Sequence, residues 1–562
     1  MIDGFLHADG KKILDGSGRE ILLKGWGLGN WLLQEGYMWL SGETCFDRPR
    51  RIEQKIEELT GAEYADRFWR EYRKNYIRRE DILKMAQLGY NSVRIPFNYR
   101  LFLSEDGKLT CGTETACDAE VRDDNCTIWK KEGFALLDQC LEWCEEAGIY
   151  AFLDLHGAPG GQTGSNIDDS VDNVPQLFME EQYQEKCIAL WVKLAERYCE
   201  REVVGGYDLL NEPIIPPYAG NGDFDYLIPE LASFYDKLIG AIRQVDQKHM
   251  LSIEGAHWAT DVQIFDHKYD ENMTLHFHRY AEIPDIACLR KFMEKSDELK
   301  VPLWMGETGE NVNEWYAALY PLAISLGIGY NLWPWKKMEC TNSPYSIRKP
   351  KDYQMLLDYL KGGAKPTREK AQEILNEYLE NIKMENCEAH SEVTCHVLRK
   401  FPFSLRATDF DECPGRGKSF SGTGAENPEI SYRQGCGMKI VELREIQEKQ
   451  FVFDCQWDRF GLVLREGEFA CYSLGEQKDV EVEITFASGY QGGVLLLERG
   501  QVHADAAKAE VENKNGESGG KEVLVDADQK KVKVRIGAGS GALFVRVLEG
   551  EICLERLEFG EN

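Results

Sequence analysis

The 562-residue sequence has no long uninterrupted hydrophobic run. Its longest apolar stretch, residues 316–335, is interrupted by Pro321, Gly327 and Pro334, so it predicts a helix followed by a buried strand rather than a membrane span. Residues 1–7 contain neither a basic segment nor an apolar core of the kind found in secretion signals. We therefore expect a cytoplasmic protein, or an extracellular one if a signal has been removed.

Positive charge is scarce as well. The sequence has 66 Lys and Arg residues against 96 Asp and Glu residues, which gives a formal net charge of -30. A surface of this sign repels the phosphates of nucleic acids and anionic lipids, but it does not repel a neutral ligand such as a sugar. We therefore expect no nucleic-acid partner, and the sequence leaves the oligomeric state open.

Several motifs of common enzyme classes are missing. No Gly-x-Gly-x-x-Gly follows the first predicted strand, no phosphate-binding Gly-x-x-x-x-Gly-Lys-Ser/Thr is present, and no Gly-x-Ser-x-Gly stands at a predicted strand-to-helix turn, where a nucleophile elbow would lie. The 17 cysteines show no Cys-x-x-Cys spacing, and no His-Glu-x-x-His occurs. These absences argue against a nucleotide-binding fold, a serine hydrolase and a zinc hydrolase. We expect reduced thiols, no metal and no cofactor.

What the sequence does contain, up to about residue 362, is a regular alternation of short apolar runs with amphipathic helices. Two of the helices are closed by a glycine, Gly89 and Gly148. Alternation of this kind predicts crossover connections and a parallel sheet, and eight repeats favour an α/β fold of the (β/α)8 TIM-barrel type. The predicted strands are 21–26, 92–96, 149–155, 206–210, 250–254, 274–277, 302–306 and 328–333.

The C-terminal part of the sequence has a different pattern. A terminal helix is predicted over 365–382, and from about residue 405 short alternating strands are separated by Gly, Asn and Asp. This pattern is typical of an antiparallel β-sandwich. We therefore predict a barrel domain over 1–385, a linker over 386–404 and a smaller antiparallel β-sandwich domain over 405–562.

Functional side chains of a barrel lie at the C-terminal ends of its strands. The polar candidates at these ends are Arg94, His156, Asn211, Glu212, His278, Tyr280 and Glu307. His276 alternates with His278, and the sequence does not decide between them.

Two of these candidates are carboxylates, Glu212 after strand four and Glu307 after strand seven. Cleavage of a glycoside needs such a pair, and a separation of about 5–5.5 Å between the carboxyl groups gives retention of configuration. Arg94 near Glu307 would keep that residue ionised, whereas burial would raise the pKa of Glu212. The alternative is structural: Glu212 would cap a helix and Glu307 would pair with a surface lysine.

Aromatic residues form a second set of candidates, because a ring face stacks on the apolar face of a pyranose. Trp333 and Trp335 lie two residues apart, so on a strand they point the same way. The residues after strand one enrich the same rim in aromatics, namely Trp26, Trp31, Tyr37 and Trp39, and Glu35 among them is placed to bond sugar hydroxyls. Core packing is the alternative for each tryptophan.

Together these residues resemble glycoside hydrolase family 5, and most closely its exo-β-1,3-glucanase and β-glucosidase branch. The similarity rests on residues 24–35, 153–162 and 333–336. It implies a retaining glycosidase that acts on a β-glucoside or a β-1,3-gluco-oligosaccharide from the non-reducing end. Asn30 and the segments 36–39 and 163–169 depart from the pattern of that branch.

The resemblance also implies roles for individual residues. Glu212 would be the acid/base and Glu307 the nucleophile. The residues expected to contact the substrate are Glu35, Arg94, His156, Asn211, His278, Tyr280, Trp333 and Trp335. Two other hypotheses remain: a β-glycosidase for glycolipids or other glycoconjugates with an apolar aglycone, and a glycan-binding protein without activity.

The C-terminal segment resembles a carbohydrate-binding module of family 6. The likeness lies in residues 466–472 and 552–559, and Trp457 and Phe420 are the candidates for sugar stacking. The alternative is a domain that braces the barrel or contributes to an oligomer. Whether the domain binds sugar or calcium stays open at this level.

Overall fold

In the computed structural model the chain is described over residues 2–104, 121–122, 128–219, 222–411, 420–422, 426–445, 456–500, 520–539 and 541–561. It divides into two compact units. The first unit consists of Met1–His278, Lys291–Thr308 and Gly329–Ala389. The second unit consists of Arg279–Arg290, Gly309–Ile328 and His390–Asn562.

The first unit contains a closed barrel of eight strands, and this confirms the predicted (β/α)8 class. Neighbouring strands follow one another in sequence around the barrel, and their described pairings are parallel. Each of the eight predicted runs overlaps one barrel strand. In order, barrel strands one to eight are Lys24–Gly27, Ser92–Asn98, Tyr150–Gly157, Val204–Asp208, Met250–Glu254, Met273–Arg279, Leu303–Gly309 and Gly329–Trp333.

Helices separate the barrel strands, as the apolar periodicity predicts. Gly89 and Gly148 both follow the last helical residue in the left-handed conformation (φ 104° and 70°), which ends these two helices as expected. The α-helices of the described residues are Pro49–Thr60, Ala62–Tyr76, Arg79–Leu88, Lys131–Ala147, Glu181–Tyr198, Ile228–Ile242, Arg290–Leu299, Asn313–Ser325, Gln354–Leu360, Arg368–Asn381 and Ser391–Leu398. Between strands five and six, Ala256–Ala259 forms a short left-handed turn instead. None of the described helices has the length and apolar character needed to cross a lipid bilayer.

Short elements complete the first unit. Its 3-10 helices are Gly36–Trp39, Thr44–Phe46, Tyr99–Leu101, Gln176–Phe178, Asp225–Leu227 and Met384–Asn386. Its additional strands are His7–Asp9, Lys12–Leu14, Val121–Arg122, Ile128–Trp129, Lys336–Met338, Tyr345–Ile347 and Glu388–Ala389. The first two of these strands form a hairpin, and its Ile13 packs with Tyr150, Met250 and Trp304 at the N-terminal ends of barrel strands. The opposite, C-terminal end of the barrel carries the candidate site.

The second unit contains a ten-stranded antiparallel sheet, which confirms the predicted antiparallel β domain. Its strands are Phe403–Arg406, Phe420–Ser421, Lys439–Glu442, Phe460–Arg465, Phe469–Ser473, Val480–Phe486, Gly492–Gly500, Lys521–Val525, Lys531–Ile536 and Ala542–Gly560, and its 3-10 helices are Ile286–Cys288 and Gln456–Arg459. The last strand pairs with five others. This long strand continues through Gly550, which adopts φ 91° and pairs with Gly493.

The cysteines of the described segments do not pair. All twelve are free thiols, and several are deeply buried. In the helix Lys131–Ala147, the neighbouring thiols Cys140 and Cys144 are fully buried, and their contact together with burial raises the pKa of Cys144. The cysteines therefore act mainly as small apolar core residues.

Candidate active site

The candidate site lies at the C-terminal ends of barrel strands two to seven. The register of the sheet places Asp154 beside Asp208 and Glu254 beside His276 on neighbouring strands. Together with the residues expected from sequence, the ends of these strands bring together Arg94, Asp154, His156, Asp208, Asn211, Glu212, Glu254, His276, His278 and Glu307, all of them buried.

Arg94 is the centre of this cluster. Its guanidinium is fully buried and donates from Nη1 to Glu307 Oε2 at 2.5 Å and from Nε to Asp208 Oδ2 at 2.7 Å. Its Nη2 donates to Asn211 Oδ1 at 2.8 Å and to Glu254 Oε1 at 3.0 Å. Although burial alone would lower the pKa of Arg94, the surrounding carboxylates raise it well above its ordinary value. The contact predicted between Arg94 and Glu307 is therefore present.

Glu212 is held by both its backbone and its side chain. Its backbone N donates to Glu254 Oε2 at 2.7 Å, and its Oε1 lies 2.7 Å from His278 Nδ1. The residue adopts a left-handed conformation with φ 44°, as does Ile214 with φ 52°. This conformation is unfavourable for side chains with a Cβ atom. The contact with Glu254 helps to hold the turn that presents the Glu212 carboxyl group.

Glu212 and Glu307 approach each other across the barrel mouth. His278 Nδ1 lies 2.7 Å from Glu212 Oε1 and 3.8 Å from Glu307 Oε1. One side-chain oxygen of each glutamate and one ring nitrogen of His278 all lie within 4.8 Å of one another. The two carboxyl groups can therefore act on the same bond.

The charges of the cluster are unequal, because five carboxyl groups share one guanidinium and three imidazoles. Burial raises the pKa of Glu212 above its usual value against the opposing effect of His278, and burial raises the pKa of Asp154 as well. Burial would also raise the pKa of Glu254, but the nearby His278 and His276 lower it well below its usual range. The cluster thus favours a protonated Glu212 beside an ionised Glu254.

The two histidines after strand six have different surroundings. Burial would lower the pKa of His278, but the carboxylates of Glu254 and Glu307 raise it well above its ordinary value. His276 Nδ1 lies 2.9 Å from Ser252 Oγ and 3.0 Å from Asp208 Oδ1, and its Nε2 lies 3.2 Å from His278 Nε2. His278 is therefore the histidine that contacts the glutamate pair. His276 contacts the ring of His278 and is itself held by Ser252 and Asp208.

Gly306 makes room for this histidine pair. A Cβ atom at position 306 would lie 2.2 Å from His276 Nε2, far inside van der Waals contact. Glycine is thus required one residue before Glu307, because any side chain there would displace the ring that contacts His278.

His156 links the cluster to an aromatic wall. Its Nδ1 lies 2.8 Å from Asp154 Oδ2, and burial lowers its pKa to about 4, so the ring is neutral near pH 7. The ring stacks on Trp333 with centroids 5.2 Å apart and planes 3° from parallel. The indole N–H of Trp333 donates to Tyr37 Oη at 2.9 Å. Trp333 is thus held at the barrel mouth by His156 and Tyr37.

The other tryptophans lie elsewhere. Trp335 is buried, its Nε1 donates to Asp81 Oδ1 at 3.0 Å, and its ring packs against Trp26 with centroids 6.0 Å apart. The expected rim role of Trp26, Trp31 and Trp39 is wrong, since all three are buried core residues. Trp39 is buried because it lies in the 3-10 helix Gly36–Trp39. Its ring packs there on Trp69, Tyr72 and Tyr378, which belong to α-helices.

Four other predicted residues can be placed as follows. Glu35 is buried immediately before the 3-10 helix that follows strand one. Tyr280 follows the last residue of strand six, two positions after His278. In the second unit, Trp457 is fully buried and Phe420 packs on Phe410 with centroids 5.1 Å apart. Trp457 therefore presents no exposed ring face for stacking.

Sequence reasoning missed two carboxylates of the site, Asp208 and Glu254. Both stand at the end of a barrel strand, where the barrel rule would have found them: Glu254 is the last residue of the apolar run 250–254. Their importance is visible only from contacts, since Asp208 bonds Arg94 and Glu254 bonds both Arg94 and the backbone of Glu212.

Two groups of described residues have the spacing of metal ligands, namely Glu254 with His276 and His278, and Glu212 with His278 and Glu307. In both groups the donor atoms already contact one another or Arg94. These contacts already pair part of the buried charge of the carboxyl groups.

The sequence of this chain matches a known family over the barrel. The family description "Cellulase (glycosyl hydrolase family 5)" matches residues 53–339, about half of the chain. The chain belongs to glycoside hydrolase family 5. The match includes every residue of the buried cluster from Arg94 to Glu307.

Among relatives of this family 5 chain, a β-xylosidase of Phanerodontia chrysosporium is 31% identical over 279 residues, 49% of this chain and 52% of the relative. A glucan 1,3-β-glucosidase of Candida oleophila is 27% identical over 337 residues, 55% of this chain and 70% of the relative. The chain therefore spans about half of the length of the xylosidase that it matches.

Two solved structures are similar to this chain at low sequence identity and low TM-score. A β-glucanase from Saccharophagus degradans is 14% identical with a TM-score of 0.40, over 68% of this chain and 95% of that one. An endogalactoceramidase is 16% identical with a TM-score of 0.43, over 98% of this chain and 99% of that one.

Proposed function

We propose that this protein is a retaining exo-acting β-glycosidase that releases glucose from β-glucosides or β-1,3-gluco-oligosaccharides. The observation that carries the proposal is the pair Glu212 and Glu307, with oxygens within 4.8 Å of each other. A close pair of carboxyl groups suits retention, because an inverting enzyme needs room for a water molecule between them.

The two glutamates differ in the way that the mechanism requires. Burial raises the pKa of Glu212, which favours the protonated form that a general acid needs, while Glu307 accepts a charged hydrogen bond from Arg94. This difference supports Glu212 as the acid/base and Glu307 as the nucleophile.

The reaction then has two steps. In the first, Glu307 Oε attacks the anomeric carbon, the glycosidic C–O bond breaks, and Glu212 gives its proton to the departing oxygen. In the second, Glu212 takes a proton from water, whose oxygen attacks the anomeric carbon and releases Glu307. The sugar leaves with its original configuration, and both carboxyl groups return to their starting states.

The remaining cluster residues support these steps. The imidazolium of His278 contacts Glu212 and Glu254, and Arg94 balances the charge of the nucleophile before attack. Of the sugar contacts that the family resemblance implies, the proposal keeps Glu35, Arg94, His156, Asn211, His278, Tyr280 and Trp333. It leaves out the eighth, Trp335, because its indole is bound to Asp81 in the core.

The choice of sugar rests on the relatives. One is named as a glucan 1,3-β-glucosidase and another as a β-xylosidase, so both names describe β-linked sugars that differ by a hydroxymethyl group. The resemblance of residues 24–35 to the exo-glucanase branch favours glucose.

Glu212→Gln tests the acid role. We expect kcat/KM to fall by about 10²–10⁴-fold for a poor leaving group such as a sugar, and much less for 2,4-dinitrophenyl β-glucoside, which departs without a proton. In the parent enzyme, activity falls as pH rises through the raised pKa of Glu212, and this limb disappears in the variant. An equal loss for all leaving groups would contradict the acid role.

A sugar-binding role of the second unit is supported by the sequence resemblance alone, since Trp457 is buried. Retention of the full chain carrying Glu307→Gln on insoluble β-1,3-glucan would test it. Retention that soluble glucose fails to reverse would support a binding site apart from the barrel. Complete release by glucose would assign all binding to the barrel.

A further inference from the structure

Exposed apolar side chains gather on two neighbouring loops of the first unit. The chain has seven large apolar side chains that are exposed among the described residues, and four of them are Val171, Met179, Tyr218 and Tyr226. Val171 and Met179 follow barrel strand three, while Tyr218 and Tyr226 follow strand four, which ends four residues before Glu212.

Contacts tie these loops to the loop after strand five. His257 N donates to Ile214 O at 2.7 Å, and His257 Nε2 lies 2.7 Å from Asp225 Oδ1. The loops after strands three and four also pack closely, since a Cβ atom on Gly164 would lie 2.9 Å from the ring of Phe224. The three loops therefore form one continuous part of the barrel mouth.

The loop after strand five holds an unusual turn. Three successive residues, His257, Trp258 and Ala259, have φ between 55° and 58°, a left-handed conformation that costs about 1–2 kcal/mol per residue. Gly255 permits this turn, since a Cβ atom there would lie 1.9 Å from Asp261 O. Backbone strain of this kind is found mostly at functional positions.

The turn brings Trp258 to Tyr218. The ring centroids are 6.1 Å apart and the planes are 82° from parallel, so the two rings form an aromatic corner. Tyr218 is 85% exposed, and Trp258 is partly exposed. When two exposed rings stand at right angles, a ligand ring can stack on the face of one of them and contact the edge of the other.

We propose that Tyr218 and Trp258 form a binding site for the leaving group of the substrate, and that it takes a ring with an apolar face. This proposal rests on the proposed function, because Glu212 protonates the leaving oxygen and Tyr218 lies six residues after Glu212 on the same loop. Trp258 lies four residues after Glu254, which bonds the backbone of Glu212. One ring of the aromatic corner thus lies on the loop that carries the acid, and the other lies on the loop that bonds to it through His257 N and Ile214 O.

Two leaving groups present the same chemistry to this corner. The C–H face of a pyranose in an oligosaccharide and the ring of an aryl or benzyl aglycone both stack on an aromatic side chain. A stacked ring contributes about 0.5–1.5 kcal/mol, or roughly a 2- to 12-fold change in kcat/KM. The corner would thus set preference among leaving groups without changing the chemistry at the anomeric carbon.

The test compares Tyr218→Ala and Trp258→Ala with the parent enzyme on three substrates: methyl β-glucoside, benzyl β-glucoside and a β-1,3-linked glucobiose. Dividing each variant's kcat/KM by that of the parent removes the intrinsic reactivity of the substrate. We expect the loss on a ring-bearing substrate to be about 3- to 10-fold larger than the loss on the methyl glucoside. Tyr218→Phe keeps the ring, so it should retain most of the preference for ring-bearing substrates that Tyr218→Ala loses.

The pattern of losses identifies the leaving group. A selective loss on benzyl glucoside alone indicates an apolar aglycone, a selective loss on glucobiose alone indicates a sugar, and both together indicate a site for either. Equal losses on all three substrates, or none, would overturn the proposal. Met355→Ala, which removes an exposed apolar side chain from the helix Gln354–Leu360, is the control for a general surface effect.

A parallel series of β-xylosides separates this proposal from the choice of sugar. Turnover of xylosides without glucosides, with selective losses on the benzyl xyloside, would contradict the glucose assignment and support the aromatic corner. The absence of turnover in both series would contradict the proposed function and the corner together.

Discussion

Charged side chains are buried in two regions of the molecule, and the two regions are balanced differently. At the barrel mouth the carboxyl groups outnumber the single guanidinium of Arg94 five to one, with histidines making up part of the difference. Among the described residues of the second unit, four buried arginines accompany four buried carboxyl groups, namely Arg279, Arg399, Arg406 and Arg433 with Asp285, Asp409, Asp411 and Glu468. Both regions contain buried ion pairs, so burial of charge alone does not distinguish them.

The partners of these charges also differ. In the second unit, Arg399 donates to Asp411 and to the backbone oxygens of Ala317 and Asp409, and Arg433 donates to the backbone oxygens of Phe410 and Asp411. These arginines therefore fasten backbone segments. At the barrel mouth the contacts of Arg94 join side chain to side chain, and they hold carboxyl groups with unequal proton affinities close together.

The comparison teaches that an imbalance of buried charge, rather than burial itself, marks the reactive region. Balanced pairs hold a loop in place, whereas an excess of carboxyl groups forces some of them to keep a proton. Three changes test this difference, and we take them from the largest expected effect to the smallest.

Glu307→Gln should have the largest effect. The amide keeps the shape of the side chain but cannot attack the anomeric carbon, so we expect kcat to fall by roughly 10⁴–10⁶-fold. Binding of a β-1,3-linked glucobiose, measured by calorimetry, should remain. Glu298→Gln, on the exposed face of the helix Arg290–Leu299, is the matched control. Turnover near the parent level would show that the excess charge has no chemical role.

Glu254→Gln should have an intermediate effect through position and charge. The amide oxygen can still accept a hydrogen bond from Glu212 N. The neutral side chain at position 254, however, no longer contributes to the raised pKa of His278. We expect kcat/KM to fall by roughly 10²-fold with a shifted pH profile, because the charges around Glu212 are redistributed.

The pH profile separates this role from a structural one. The exposed Glu230→Gln on the helix Ile228–Ile242 serves as the control. Glu254→Gln could instead lower thermal stability and leave the pH dependence of kcat/KM unchanged. That result would show that Glu254 has a structural role only, and it would contradict the proposed difference between the two regions.

Asp409 should show the smallest effect, and on stability alone. Burial raises its pKa from 3.8 to about 6, so the folded chain holds this proton to a higher pH than the unfolded chain does. The contribution of Asp409 to the free energy of unfolding therefore falls by about 3 kcal/mol as pH rises from about 4 to above 6.

Asp409→Asn removes this titration and can still accept a hydrogen bond from Tyr432. Calorimetry of the full chain between pH 4 and 7 should show the variant gaining stability relative to the parent as pH rises. Parallel curves would mean that Asp409 stays ionised throughout. A change in kcat of the folded enzyme would contradict the expectation that Asp409 affects stability alone.

Much of this molecule was predictable from its sequence. The barrel follows from eight alternations of apolar runs and amphipathic helices, and the strand-end rule found Arg94, Glu212, His278 and Glu307, which the structure brings together. Hydrophobic periodicity locates a strand, and the fold then brings the strand ends into one place.

The remaining features depend on contacts that a linear pattern does not encode. Trp333 and Trp335 look equivalent as a pair two residues apart, yet strand eight ends at Trp333 and the next turn carries Trp335 to Asp81. Glu254 stood at a strand end with no motif around it. The left-handed backbone at Glu212 and Trp258 is likewise set by tertiary contacts, because neither residue type favours it.

The most direct test of the account is to identify the residue that carries the trapped sugar. Incubation with a 2-deoxy-2-fluoro-β-glucosyl fluoride slows the second step, and peptide mass spectrometry then locates the bound sugar. The account predicts one equivalent of sugar on Glu307 and none on Glu212. A sugar attached to any other residue, or complete hydrolysis with inverted configuration and no adduct, would contradict it.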